Sequence, residues 1–247
     1  MPVLERPDGV RLYYEVHGSN SASGRVPLLL LEGMGGDIPG WRRNIPVLSA
    51  ARPVVAFDLR GNGRSEMPDR PVTMATFVDD ALALLDTLDA PRADLYGQSF
   101  GGMMALETAL THPDRVRSLI LAATHAGPKH AVWDRAGAKV PKDRPYLALY
   151  SEAFALDQPD HVAEDILVGS QRPQAPHAGR RQWEAMQAFD AFDRLPEIHV
   201  PTLVLLEGAG HVYHSEQPEA ADAAVLDFLD RVDRTDATPS RVRRALE

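Results

Sequence analysis

Leu95-Tyr96-Gly97-Gln98-Ser99-Phe100-Gly101-Gly102-Met103 is the stretch whose reading decides the fold. It begins as an apolar run, passes through three glycines around one serine, and continues into the helix-like stretch Ser99 to Leu110, which His112-Pro113 closes. A G-x-S-x-G between a strand and a helix is a sharp turn. Gly97 and Gly101 remove the Cβ atoms that would clash there, and the turn lifts the serine hydroxyl to the carboxyl edge of the sheet. The helix start behind Ser99 supplies a positive dipole for a developing oxyanion.

The same alternation extends on both sides. Val26 to Leu31, Pro53 to Phe57, Ala93 to Tyr96 and Val116 to Ala123 are short continuous apolar runs, as expected of parallel strands buried on both faces. Phe77, Ala81, Leu84, Leu85 and Leu88 form one apolar stripe at helical spacing. Val10 to Val16 alternates like an antiparallel strand with one wet face, and Asp8-Gly9 before it is a hairpin turn signal. The pattern predicts an α/β protein with a mostly parallel, doubly wound sheet. From about Ala126 to Pro196 strand signals give way to seven prolines and short helical pieces such as Arg181 to Phe192, the pattern of an inserted helical lid. The expected divisions are therefore an N-terminal core segment over residues 1–125, a lid over 126–196 and a C-terminal core segment over 197–247. That last segment holds a strand at Val200 to Leu206, a helix carrying Ala221, Val225, Phe228, Leu229 and Val232, and a frayed polar tail from Asp233 to Glu247.

Composition narrows the function. The 247 residues carry a net charge of −9, which disfavours nucleic acid and anionic membrane as partners, since both need concentrated positive surface. With no cysteine there is no disulfide framework, thiolate metal site or cysteine nucleophile. No apolar run reaches the ~20 residues of a membrane span, and the first residues lack a signal-peptide pattern, so a cytoplasmic protein is expected. No ligand spacing suggests zinc, and no G-x-G-x-x-G follows a first strand.

The chain resembles the α/β-hydrolase family along nearly its whole length, most of all bacterial carboxylesterase-like and enol-lactonase-like members. Leu31-Glu32-Gly33-Met34-Gly35-Gly36 sits where the family has its H-G-x-G oxyanion loop, and Asp58-Leu59-Arg60-Gly61-Asn62-Gly63-Arg64-Ser65 resembles its D-x-R-G-x-G-x-S loop. Gly208-Ala209-Gly210-His211 resembles the turn that carries its histidine. The resemblance implies Ser99 as nucleophile, His211 as general base, and the backbone N–H groups of Met34 and Phe100 as the oxyanion hole. It implies a hydrolase of small carboxylic esters or lactones working through an acyl-serine, with no cofactor and no metal. A cofactor-free C–C hydrolase or perhydrolase would share these motifs. A non-catalytic binding protein of the same fold is the rival of another class.

Two departures matter. Glu32 stands where the family has His, and reads as a hydrogen-bonding brace. Val200 to Leu206 runs straight into Glu207 and the His211 turn, so about one βαβ unit, on the order of 30 residues, is expected to be missing. That unit normally bears the triad acid. Glu207, Glu32 and Asp37 are candidates, the place after the sixth strand holds Thr124 and His125, and the acid stays unassigned. Loss of a strand and helix would bare an apolar edge, so a homodimer covering it is expected.

Among other residues, His125, His130 and His214 read as surface or supporting histidines, and Tyr213-His214 as caps for a helix near Ser215. Met34, Met103 and Met104, which flank the elbow, read as core filler, and Asp79, Asp80, Asp86 and Asp89 as a solvated helix face. Trp133, Tyr146, Tyr150, Phe154, Trp183, Phe189 and Phe192 concentrate aromatic surface in the lid, which suits an apolar acyl or aromatic pocket.

Overall fold

A computed structural model describes residues 2–18, 25–131, 149–205 and 210–236. The chain begins with β1 (Val3–Glu5) and β2 (Arg11–His17), a hairpin in which Leu4 faces Leu12 and the turn runs through Asp8-Gly9. β1 lies outside the expected elements, because three residues are too short to show a period. The next strands are β3 (Leu28–Leu31), β4 (Val54–Phe57), β5 (Ala93–Gln98), β6 (Val116–Ala122) and β7 (Thr202–Leu205). Among the described residues they form one sheet in the order β1-β2-β4-β3-β5-β6-β7. β2 is antiparallel to β4, and β4, β3, β5, β6 and β7 are mutually parallel. Parallel pairing brings all five carboxyl ends to one edge of the sheet.

Helices α1 (Ile45–Ala51), α2 (Met74–Thr87) and α3 (Phe100–Thr111) follow β3, β4 and β5. After β6 come α4 (Glu152–Asp157), α5 (Pro159–Ser170) and α6 (Pro176–Ala188), and after β7 come α7 (Tyr213–Glu216) and α8 (Pro218–Asp236). The strand side chains divide by period two. Leu29, Leu31 and Leu95 join α2 and α3 on one face, while Leu28, Leu30 and Tyr96 join Trp41, α1 and α8 on the other. β3 is buried along its full length, as an interior parallel strand must be. β7 differs: it pairs with β6 alone among the described residues, and Thr202 and Val204 are exposed.

Three expectations need correction. The helix that begins at Pro218 runs on to Asp236, so residues 233–236 are helical and not a frayed tail. Asp233 takes charge-assisted hydrogen bonds from Arg117 (2.6 Å) and Arg52 (3.2 Å), which hold that last turn in place. Asp80 is not on a solvated face. It is buried and accepts from Arg60 Nε and Nη2, each at 2.8 Å, and from Arg6 at 2.9 Å. His214 is buried inside α7 and does not cap a helix from the surface. The methionine expectation is met in part: Met103 and Met104 are fully buried, whereas Met34 is 38% exposed on the loop after β3, where no core element covers it.

The helical segment after β6 is fastened to the loops at the carboxyl edge of the sheet by polar contacts. Arg43 reaches Glu164 and Asp165 of α5 at 2.6 Å each. Gln182 of α6 donates to Arg60 O and Asn62 Oδ1 at 2.8 Å, and Gln174 donates to the same Asn62 oxygen at 2.7 Å. Burial opposes the charge on Asp165, yet hydrogen bonds from Ser215, Arg42, Arg43 and Tyr150 hold its carboxyl down at about 2. Among the described aromatics of the segment expected to be a lid, Tyr150 and Phe154 stack, Phe189 is buried, and Trp183 and Phe192 are about half exposed. Trp133 and Tyr146 lie outside the described residues.

Candidate active site

Ser99 sits between β5 and α3 with φ 53° and ψ −114°, a backbone conformation that side-chain-bearing residues seldom adopt. The surroundings impose it. Ser99 N–H continues the β5–β6 ladder by donating to Ala122 O at 2.9 Å, while Ser99 O accepts from the Gly102 N–H and from Thr124 Oγ1. The glycines beside it are forced by contact. A Cβ on Gly97 would come 2.5 Å from Gly101 O, and one on Gly101 would come 2.0 Å from Leu31 O. Both lie well inside contact distance, so strand and helix can meet here only without side chains. Ser99 itself remains partly exposed.

The loop after β3 faces it. A Cβ on Gly33 would stand 3.4 Å from Ser99 Cβ, so the first residues of this loop lie directly against the serine. Neither the Met34 N–H nor the Phe100 N–H has an acceptor among the described residues. Asn62 pins the loop from behind, donating to Gly33 O (3.2 Å) and Gly36 O (2.6 Å). The D-x-R-G-x-G-x-S loop is thus a support: Asp58 Oδ1 accepts from Ile38 N and Oδ2 from Arg64 N, each at 2.8 Å.

His211 follows β7 by way of residues 206–209; Glu207, Gly208 and Ala209 among them lie outside the described residues. Its backbone is tied to the elbow, because Gln98 Nε2 donates to His211 O. Glu216 Oε2 accepts from Gly210 N (2.9 Å) and Ser151 N (3.0 Å), joining the histidine turn to the start of α4. Gly210 is compelled by that approach, since a Cβ there would be 2.5 Å from Ser151 N. No hydrogen bond joins the His211 ring to Ser99. Burial lowers the His211 pKa, and nearby His125 lowers it further. No carboxylate among the described residues acts on the ring.

The candidate acids go elsewhere. Glu32 Oε2 is 3.8 Å from His214 Nε2, and Asp37 Oδ2 is 3.5 Å from Arg172 Nη1. Burial raises the Asp37 pKa, with Asp58 adding to it. His125, three residues beyond the end of β6, is a titratable group that acts on the His211 ring. The arrangement holds a strained serine, two N–H groups without acceptors and an imidazole that burial favours in its neutral form on one edge, with no acid positioned beside them among the described residues. Groups of three or more metal-ligating side chains are absent among the described residues. No helix among them is long and apolar enough to cross a membrane.

Residues 26–158 match the family described as the alpha/beta hydrolase fold. The chain belongs to the α/β-hydrolase fold family. A relative from Variovorax paradoxus (strain S110), provisionally named carbamate hydrolase RutD, is 32% identical over 205 residues, covering 78% of this chain and 76% of that protein. The 2-hydroxymuconate semialdehyde hydrolase of Pseudomonas sp. (strain CF600) is 42% identical over 99 residues, 38% of this chain and 35% of that one. Among solved structures, a hydrolase from Pseudomonas aeruginosa PA01 superposes with a TM-score of 0.79 at 26% identity, covering 92% of this chain and 97% of that one. The enol-lactonase from Burkholderia xenovorans LB400 also gives 0.79, at 24% identity over 93% and 100% of the two chains. The protein is a hydrolase of the α/β fold.

Proposed function

We propose that this α/β-hydrolase cleaves a small carboxylic ester or lactone through an acyl-enzyme on Ser99. The observation that carries the reading is the elbow itself: φ 53° at Ser99, maintained by glycines that tolerate no Cβ. Strain of this kind costs about 1–3 kcal/mol and persists where function uses it. In the proposed route His211 takes the Ser99 proton as Oγ bonds to the carbonyl carbon. The carbonyl oxygen becomes an oxyanion and accepts from the Met34 and Phe100 N–H groups. As the tetrahedral adduct collapses, the C–O bond to the leaving group breaks and His211 returns the proton to it. Water then repeats the sequence, releasing the acid and restoring Ser99. A carbamate, as in the name of the Variovorax relative, would follow the same steps at the same carbonyl, with a carbamoylated Ser99 as the intermediate.

A second reading is favoured by the bare His211 ring: a fold that keeps a reactive serine and turns over slowly. Loss of the triad acid costs about 10⁴ in kcat in serine proteases, because the tautomer is no longer held and the imidazolium is less stabilised. Reactivity of Ser99 and rate of turnover are therefore measured separately. A fluorophosphonate probe read by intact mass should add one label to the wild type and none to Ser99→Ala. Hydrolysis of p-nitrophenyl acetate and butyrate should fall to background in the same variant. Folded wild type that takes no label would overturn the assignment.

The pH dependence follows from the sign of the His211 shift. Burial disfavours the imidazolium, so the neutral base persists below the ordinary 6.5. The midpoint of the acid limb of kcat/KM is expected below pH 6.5, with activity lost on further acidification. A limb at or above 6.5 would mean that a carboxylate does face the ring.

A further inference from the structure

Glu32 leaves the carboxyl end of β3 and turns back under its own loop. Its Oε1 accepts the Gly33 N–H at 2.9 Å, so it fixes the peptide immediately before the Met34 donor. The side chain fills a slot that two glycines leave open. A Cβ on Gly36 would come 2.5 Å from Glu32 Cγ, and one on Gly40 would come 3.1 Å from Oε2. Oε2 is buried without a hydrogen-bond partner, on the wall of a cavity of about 150 Å³ shared with Gly35, Arg42, Tyr150, Asp165 and His214.

The groups that face this carboxyl bring no compensating positive charge. Asp37 from the same loop and Asp58 from the loop after β4 are carboxylates, and both raise its pKa. Tyr96 from β5 is a buried phenol whose own ionisation is disfavoured. His214 from α7 is packed against the Trp41 ring at 4.3 Å, and burial holds its imidazole neutral down to about 4. Across the cavity, Arg42 is already engaged by Glu164 (3.3 Å) and Asp165, and Tyr150 donates to Asp165 at 2.9 Å.

We propose that Glu32 is a positioning residue of the oxyanion hole that works in its uncharged form, holding Gly33 and Met34 in place without a negative charge behind the developing oxyanion. The inference rests on the acyl-serine reading above. A histidine, the residue expected here from the family pattern, would brace the loop as a neutral ring; a glutamate can do the same only while it keeps its proton. Burial does this, pushing the carboxyl up to about 8. Above that pH the ionised carboxylate would oppose the oxyanion that the neighbouring N–H groups stabilise.

The test compares Glu32→Gln and Glu32→Ala with the wild type. The wild type should lose kcat through a limb near pH 8, with KM steady. Glu32→Ala, which leaves the Gly33 N–H without its acceptor and opens the slot, should lower kcat at least ten-fold at every pH. Glu32→Gln keeps an oxygen for Gly33 and cannot ionise, so it should recover most of that loss and show no limb near 8. A readout independent of turnover accompanies this. A carboxyl whose folded value lies above its unfolded one (4.5 to about 8) stabilises the fold fully below 4.5 and loses that contribution as pH rises through 8. The melting temperature of the wild type should therefore fall relative to that of Glu32→Gln between pH 5 and 8. Matching alkaline limbs in wild type and Glu32→Gln, or parallel melting curves across that range, would overturn the inference. Failure of Ser99 to label would sink the acyl-serine reading instead, while the melting comparison would still decide whether Glu32 is neutral.

Discussion

Gly101→Ala is expected to lower the melting temperature by about 6–12 °C and to slow Ser99 labelling by about 100-fold, although alanine is the better helix former. Propensity alone favours the variant by about 1 kcal/mol. Against this stands a Cβ only 2.0 Å from Leu31 O, 2.4 Å from Leu31 C and 2.7 Å from Glu32 O, all of them backbone of β3 and its exit loop. No rotamer change can relieve those contacts, so α3 and the end of β3 must separate by more than 1 Å. Overpacking of this kind costs typically ~1–3 kcal/mol and sometimes more. We place the net loss near 3 kcal/mol, worth about 2–4 °C per kcal/mol in a chain of this size. The same displacement carries Gly33 and Met34 away from Ser99, which is why reactivity falls with stability. Gly169→Ala is the control, because Gly169 lies within α5 and a Cβ there meets nothing within 4 Å. It should gain up to about 1 kcal/mol. Equal melting temperatures for the two variants would show that the elbow is not tightly packed.

What the sequence revealed and what it concealed have one physical basis. The elbow, the interior strands and α3 were legible because their determinants are local: glycines at fixed offsets, apolar runs, a helix stop at His112-Pro113. Asp80 shows the opposite case. It lies three residues after Phe77 and four before Leu84, within the apolar stripe of α2, yet its charge argued for solvent. It is buried because Arg6 and Arg60 reach it from segments 74 and 20 residues away, which no periodicity records. His214 and Glu32 meet in the same way, one from α7 and the other from the loop after β3, 182 residues apart in the chain. Glu32 was readable as a brace through the family resemblance, since it stands where the family has His. Its protonation state was not, since that depends on Asp37, Asp58 and the depth of burial. The acid for His211 resisted both approaches. Its ordinary place in the chain is expected to be shortened, Glu207 lies outside the described residues, and Glu32 and Asp37 face Gly33, His214 and Arg172.

Asp94→Ala should destabilise the fold by about 3–5 kcal/mol, which corresponds to a drop of about 6–20 °C in melting temperature. Asp94 opens β5 at the end opposite Ser99 and is fully buried. Its two oxygens accept from Arg117 Nε (2.8 Å), Arg117 Nη2, Ser118 Oγ (2.6 Å) and Arg52 Nη1 (3.2 Å). Arg52 and Arg117 also reach Asp233 of α8, so two carboxylates and two guanidinium groups lock α1, β5, β6 and the last helix together. The pairs themselves add little net stability, because desolvation offsets most of their attraction. The cost of the substitution comes from what it leaves behind, two buried guanidinium groups sharing Asp233, with only the more distant and exposed Asp230 (4.0 Å from Arg52) and Asp236 (3.8 Å from Arg117) beside it. That argument has a signature: Asp94→Ala combined with Arg117→Met removes one of the two orphaned charges and leaves Asp233 to Arg52, and the double variant should be more stable than Asp94→Ala alone by at least about 1 kcal/mol. Urea midpoints at pH 7 would read both values. Ser99 stands five residues along the same strand, about 16 Å away. Its labelling rate should therefore match the wild type at temperatures where both are folded. A double variant weaker than Asp94→Ala would mean that the network stabilises by attraction after all, and a slowed Ser99 would mean that the two ends of β5 are mechanically coupled.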